Sequence, residues 1–207
     1  MKRWGWIGAV AAVAAILAAV LLVWRAAGSG PRDASAAVAP SAVAPSDIGG
    51  PFHLVDQSGA PVDQGVLRGK WSAVFFGYTY CPDVCPTTLA ALGQAVSDLG
   101  PDASRFQVVF ITIDPERDTP AALKAYLASA TFPKGARGLT GSPRQIAAVT
   151  RAYHVYYQKV PQGASYSMDH SAVVYLMDPM GRFVRPLDVG VAPPQIAGQI
   201  RDAMRGA

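Results

Sequence analysis

Residues 73–86 read AVFFGYTYCPDVCP and contain both cysteines of the 207-residue chain, Cys81 and Cys85. The run that ends at Gly77 is apolar and rich in aromatic and branched side chains, which predicts a buried β-strand. Pro86 is typical of the first turn of a helix, and the apolar side chains after it recur every three or four residues, which predicts a helix over residues 87–99. This stretch therefore predicts a strand, a turn that carries two cysteines, and a helix.

The position of the cysteines indicates reactive or metal-binding thiols. Cys85 would lie at the start of the helix, where unpaired N–H groups and the positive end of the helix dipole favour a thiolate. We therefore expect a lowered pKa for at least one of the two cysteines. A spacing of four residues puts both sulfurs on one side of a helical or turn-like segment, within reach of one metal ion or of each other. A structural disulfide is disfavoured, because a crosslink that closes so short a loop restrains the unfolded chain very little.

The start of the chain predicts a membrane anchor. Lys2 and Arg3 precede an uncharged run over residues 4–24, which as a helix would measure about 31 Å and match the hydrocarbon core of a bilayer. A cleaved signal peptide is the alternative, although its apolar core is usually shorter. We expect residues 1–25 to be a single-pass anchor in the cytoplasmic (inner) membrane, with the rest of the chain on the periplasmic, extracytoplasmic side.

The remainder of the chain divides into a linker and one domain. Residues 26–48 are almost entirely Ala, Ser, Pro, Gly and Val, which is typical of a flexible linker. Residues 49–207 are enough for one domain with a single core. From residue 48 onward there are 14 Lys and Arg against 12 Asp and Glu, without a clustered basic face, so nucleic acid is not expected as a partner.

The order of the predicted elements favours an α/β domain. Residues 52–62 predict an N-terminal hairpin, and residues 106–113 predict a buried strand that would pair in parallel with the strand before the cysteines. The cysteines would then lie at the carboxyl end of a strand, where open α/β sheets place their binding sites. Residues 159–168 are polar and predict a mobile loop, and residues 172–184 predict a second hairpin before a closing helix.

This order is that of a thioredoxin-like fold, in which a central mixed sheet is flanked by helices. By analogy with that fold, His170 would face Cys81 and Cys85 across the site. Two thiolates and an imidazole suit copper(I), which readily takes three ligands, whereas structural zinc normally takes four. Asp169 would either accept the second N–H of the imidazole or simply end the loop.

Three motifs resemble the signatures of the Sco/SenC family: FGYTYCPDVCP at residues 76–86, DPERDTP at residues 114–120 and DHSA at residues 169–172. The resemblance extends over the whole domain from Gly49. It implies a membrane-anchored, thioredoxin-like copper protein that helps to assemble the dinuclear copper centre of cytochrome c oxidase. It also implies that Cys81, Cys85 and His170 are the copper ligands, and that the partners are the copper-bearing oxidase subunit, a copper donor and a thiol reductant.

The resemblance leaves the mechanism open. In one alternative the site holds copper and passes it on by ligand exchange. In the other, Cys81 and Cys85 are a redox pair that reduces the cysteines of the recipient site, or of another exported protein, without carrying copper. A peroxiredoxin-like enzyme is a third class, but it needs a peroxide-activating arrangement around one thiolate, and the sequence does not indicate one.

Overall fold

The strand predicted before the cysteines lies at the centre of the fold in the computed structural model, which describes Leu22 and residues 48–206. This strand spans Trp71–Gly77, and every residue in it is buried. Because both of its faces are covered, its side chains do not alternate between apolar and polar, and apart from Ser72 none of them is polar. The complete burial of Phe75 and Phe76 contributes about 2 kcal/mol for each side chain.

The strands are, in chain order, β1 His53–Asp56, β2 Pro61–Asp63, β3 Trp71–Gly77, β4 Phe106–Thr112, β5 Arg137–Thr140, β6 Tyr157–Gln162, β7 Ser165–His170, β8 Val174–Met177 and β9 Phe183–Leu187. Seven of them form one sheet in the order β2-β1-β5-β4-β3-β8-β9. The pairs β3–β4 and β4–β5 are parallel, and the other pairs in this sheet are antiparallel. The predicted mixed sheet with an N-terminal hairpin is therefore confirmed.

The α-helices are α1 Val84–Asp98, α2 Pro120–Leu127, α3 Pro143–Ala152 and α4 Pro193–Arg205, and short 3-10 helices span Gln64–Leu67 and Gly100–Arg105. The Thr119 side chain caps α2, and Ser142 and Gln145 form a capping box at α3. Helix α1 packs against α4, and α2 packs against β5. Helix α1 begins three residues earlier than predicted, because Pro86 lies within the first turn, where a missing N–H removes no intrahelical hydrogen bond.

The segment predicted as a mobile loop, residues 159–168, is instead a β-hairpin. Strands β6 and β7 pair in antiparallel fashion as a separate two-stranded sheet, with Tyr157 opposite His170. Gly163 adopts φ +59° in the turn, a left-handed conformation that glycine enters without steric cost. The prediction was wrong because most residues of both strands are exposed or polar, so the apolar alternation that indicates a strand is weak here.

Aromatic packing holds β8, which follows the His170 segment, against β3. The Phe76 ring centroid lies 5.2 Å from that of Tyr153 and 6.0 Å from that of Tyr175, and the two tyrosine centroids are 5.6 Å apart. Such edge-on and tilted ring pairs add stabilisation beyond the burial of their area. The segment that connects His170 to the sheet is therefore anchored close to the end of β3.

The predicted transmembrane helix over residues 4–24 and the predicted linker lie outside the described residues, apart from Leu22 and Ile48. Among the residues that are described, no helix has the length and apolar character needed to cross a membrane.

Candidate metal centre

The two cysteines lie at the junction of β3 and α1, as the sequence predicts. A turn in which the Cys81 N–H donates to the Tyr78 carbonyl oxygen (3.2 Å) leads out of the strand. Cys85 is the second residue of α1 and is completely buried, whereas Cys81 is partly exposed. The backbone N–H of Cys85 donates to Cys81 Sγ at 3.4 Å, so the first turn of the helix directs a hydrogen-bond donor at the more accessible sulfur.

Burial dominates the environment of Cys85. It raises the pKa of the Cys85 thiol well above the ordinary value, and the nearby Cys81 raises it further. The expectation that the helix N-terminus lowers the pKa is therefore wrong for this cysteine, because removal from water penalises the thiolate more than the helix end favours it. Cys85 packs against Gly77, where an added Cβ would lie only 2.7 Å from Cys85 Sγ.

His170 lies opposite the cysteines, as the fold analogy predicts. It is the last residue of β7, and its Nε2 is 3.7 Å from Cys85 Sγ. The other ring nitrogen, Nδ1, lies 3.0 Å from the carbonyl oxygen of Ser171. Because a carbonyl only accepts, Nδ1 carries the proton and the lone pair of Nε2 faces the sulfur.

The polar partner of the imidazole is therefore the Ser171 backbone and not the Asp169 side chain, which is exposed. Burial lowers the pKa of His170, and the Ser171 hydrogen bond and the Asp169 charge oppose this shift only in part. A neutral imidazole is the form that binds metal. The Tyr78 ring meets the imidazole edge-on with centroids 6.0 Å apart and restricts its orientation.

A buried carboxylate ties the cysteine segment to the end of β4. Asp118 accepts hydrogen bonds from the Thr79 N–H (3.0 Å), the Thr79 hydroxyl (2.6 Å) and the Thr112 hydroxyl (2.6 Å). Burial raises the pKa of Asp118, and these hydrogen bonds offset only part of that shift. The sequence does not indicate this role of Asp118, because nothing in the spacing pairs residue 118 with residue 79.

Donor identity in this cluster fits a soft metal ion. The Cys85 sulfur lies near the His170 imidazole, and the Cys85 backbone N–H contacts the Cys81 sulfur; two thiols and one imidazole nitrogen are a donor set that suits copper(I). Within residues 48–206, no group of three histidine, cysteine or carboxylate side chains is arranged to hold a metal ion as it stands. The three side chains would therefore have to adjust in order to share one ion. Another histidine, His53, lies exposed on β1 of the main sheet.

Comparisons with known proteins by sequence and by structure both find Sco proteins. The model of the family described as SCO1/SenC matches residues 40–205. The mitochondrial SCO1 homolog 1 of Arabidopsis thaliana is 44% identical over 140 residues, which cover 67% of this chain and 41% of that protein. A SCO2-like protein of Rickettsia conorii is 39% identical over 158 residues, which cover 75% of this chain and 76% of that protein.

Among solved structures, copper-bound ScoI of Bradyrhizobium japonicum is 46% identical and superposes with a TM-score of 0.70 over 75% of this chain and 98% of that one. The prediction of a thioredoxin-like α/β fold is confirmed by this likeness.

Proposed function

The chain belongs to the SCO1/SenC family, and from this membership we propose that it binds copper and delivers it to the dinuclear copper centre of cytochrome c oxidase during assembly. The observation that carries the proposal is the approach of His170 Nε2 to Cys85 Sγ, 3.7 Å across a separation of 85 residues. Copper is bound in the solved relative that shares 46% of its sequence with this chain. The chain spans 41% of the Arabidopsis relative, so the activity of the whole protein is included in the proposal.

Cys81, Cys85 and His170 are the proposed copper ligands. Two sulfurs and one nitrogen would satisfy copper(I) and leave room for an incoming thiolate of the recipient. Cys81, the more accessible sulfur, would be exchanged first, while buried Cys85 and half-buried His170 hold the ion. The hydrogen bond from Nδ1 to the Ser171 carbonyl keeps Nε2 free as a ligand.

We propose further that residues 1–25 anchor the protein in the cytoplasmic membrane with the domain on its extracytoplasmic side. The support is the uncharged run over residues 4–24. Its length as a helix would match the bilayer core, and Lys2 and Arg3 favour a cytoplasmic N-terminus.

A second candidate function is thiol-disulfide exchange, which the unequal burial of the two free thiols favours. The Cys81 thiolate would attack a partner disulfide and form a mixed disulfide, releasing one partner thiol. Cys85 would then attack Cys81 Sγ, form the Cys81–Cys85 disulfide and release the second partner thiol. The two protons of the dithiol pass to the released thiols, so the pair is oxidised by two electrons as the partner is reduced.

One substitution separates these functions. In His170→Ala, the affinity for copper(I) should fall about a hundredfold or more, measured on the reduced full chain by competition with a chromophoric copper(I) chelator. Reduction of a disulfide substrate should persist, because both thiols remain. His53→Ala is the matched control, since it removes an exposed histidine from β1. If His170→Ala holds copper as tightly as the wild type, the three-ligand site is refuted.

The spectrum of the copper(II) form provides the second test. Thiolate-to-copper charge-transfer absorption should appear in the wild type, change in energy or intensity in Cys81→Ser and in Cys85→Ser, and be absent when both cysteines are replaced. An unchanged spectrum in either single variant would exclude that cysteine as a ligand.

A further inference from the structure

The hairpin that carries His170 and the cysteine segment both contact one guanidinium, that of Arg117, whose side chain is largely withdrawn from solvent. We propose that Arg117 is a positioning residue, which holds strand β7 in the register that places His170 over Cys85. This inference rests on the proposed copper site and adds a residue to it. Arg117 does not touch the thiols or the imidazole in any described contact, so it would act through the residues that it clamps.

On the hairpin side, Arg117 is attached to Tyr166 in three ways. Its Nη1 donates to the backbone carbonyl oxygen of Tyr166 at 2.9 Å, and its guanidinium carbon lies 3.7 Å from the centroid of the Tyr166 ring. Its Nε donates to one carboxylate oxygen of Asp114, while the Tyr166 hydroxyl donates to the other oxygen at 2.8 Å. Both the main chain and the side chain of residue 166 are therefore fixed.

On the cysteine side, the same guanidinium lies over two rings that flank the turn. Its carbon is 4.6 Å from the centroid of Tyr80, the residue before Cys81, and 5.8 Å from the centroid of Tyr78. The next residue, Asp118, accepts the hydrogen bonds of Thr79. Residues 117 and 118 therefore hold the hairpin and the cysteine segment at adjacent positions of one loop.

The geometry of a β-strand transmits this attachment to the ligand. Side chains two residues apart share a face of a strand, so Tyr166, Met168 and His170 lie on the same face of β7. A one-residue slip of β7 would turn His170 away from the cysteines. A two-stranded hairpin is only marginally stable by itself, and β6 and β7 form a sheet separate from the main one, so its position depends on contacts such as these.

The guanidinium chemistry explains why arginine occupies this position. The Arg117 side chain is 17% exposed and the Asp114 side chain is 1% exposed. Only a planar cation can stack on the tyrosine ring and at the same time donate, in its own plane, to a carboxylate and a carbonyl. Nη2 is buried and has no hydrogen-bond partner among the described residues, so ring stacking is its main contact. The Lys159–Glu116 pair, which also joins the hairpin to this loop, is exposed at both ends and contributes much less.

The test compares Arg117→Met with a matched control, Arg182→Met, in the full chain. Arg182 also pairs with an aspartate a short distance away in sequence, Asp178, but it lies at the β8–β9 turn and its side chain is 70% exposed. In the metal-free, reduced protein, amide hydrogen exchange over residues 157–170 should accelerate at least tenfold in Arg117→Met, while exchange in β3 and β4 stays unchanged. Arg182→Met should alter neither region. Equal acceleration in the hairpin, β3 and β4 would overturn the proposal, because Arg117 would then only stabilise the domain.

Copper binding supplies the second readout. Arg117→Met should lower the copper(I) affinity about tenfold, the range seen when groups that orient a metal ligand are removed. In a His170→Ala background the same substitution should cost nothing further, because the two residues act on one ligand. Independent, additive losses, or an unchanged affinity in Arg117→Met, would refute the positioning role.

A second variant keeps the test decisive if Arg117→Met, which leaves the buried Asp114 carboxylate unpaired, fails to fold. Tyr166→Leu removes the stacked ring and the hydroxyl bond to Asp114 from the hairpin side, keeps the Arg117–Asp114 pair and leaves only the backbone carbonyl of residue 166 as a partner of Arg117 on the hairpin. It should reproduce the faster hairpin exchange and the non-additive loss with His170→Ala, and normal behaviour of this variant would refute the inference. If wild type and His170→Ala bind copper equally, the proposed function fails, whereas the hydrogen-exchange result still decides whether Arg117 holds the hairpin.

Discussion

Replacing Asp118 by alanine should destabilise the domain by about 3 kcal/mol and release the cysteine segment. Asp118 is fully buried and accepts three hydrogen bonds, two from Thr79 and one from Thr112. A buried donor left without a partner costs about 1–3 kcal/mol. The Thr79 N–H loses its acceptor outright, at that cost. The loss of the two hydroxyl hydrogen bonds removes about 1 kcal/mol of stability for each, so the sum is about 3–5 kcal/mol. The variant no longer buries a carboxylate, and the raised pKa of Asp118 shows that this burial is unfavourable. The expected loss of stability is therefore at the lower end of that range.

The measurement is urea unfolding of the reduced full chain at pH 7, followed by circular dichroism. With a slope of about 2 kcal/mol per molar urea, the midpoint should fall by about 1.5 M. Exchange of the Thr79 amide proton should also accelerate, because that proton loses its acceptor. Asp56→Ala is the matched control: Asp56 also accepts three hydrogen bonds, from Ser58 and Ala60, but at an exposed turn, so its loss should be about 1 kcal/mol. Equal midpoints for the two variants would refute the reasoning that burial decides the cost.

Two further substitutions test local features of the fold. Gly77→Ala should destabilise the domain by about 1–3 kcal/mol and weaken copper(I) binding, because its Cβ would lie 2.7 Å from Cys85 Sγ. The control is Gly198→Ala in α4, where an added Cβ meets nothing within 4 Å, and this variant should be neutral or stabilising. Equal melting temperatures for the two variants would contradict this expectation. The Ser58 hydrogen bond holds the pKa of Asp56 below its ordinary value of 3.8, so the stability from Asp56 is present above that pH and is lost as the pH falls through the lowered pKa. The difference in urea midpoint between wild type and Asp56→Ala should therefore shrink below pH 3.8, and a constant difference down to about pH 2 would argue against this linkage.

Local sequence patterns were enough to predict the central part of the fold. The apolar run before Gly77 and the proline and periodic apolar residues after Cys85 each act over a few residues, and the corresponding elements are present. The predicted start of α1 was late because a proline is tolerated anywhere in the first turn of a helix. Strands β6 and β7 were missed because a polar, exposed hairpin buries too little apolar surface to leave a period in its sequence.

The sequence by itself determined which donor atoms the protein has at the cysteine turn, because two thiols four residues apart after a buried strand require no distant partner to be recognised. Only the tertiary structure decided how those atoms behave. The burial that raises the pKa of Cys85 depends on the packing around it, and the Arg117 contacts to Tyr166 and Tyr80 join segments far apart in the chain. The Ser171 carbonyl, rather than Asp169, is the partner of His170 because of how the end of β7 is folded, although the two residues are neighbours in sequence. Such contacts depend on how strands and loops pack in space, which residue spacing along the chain does not encode.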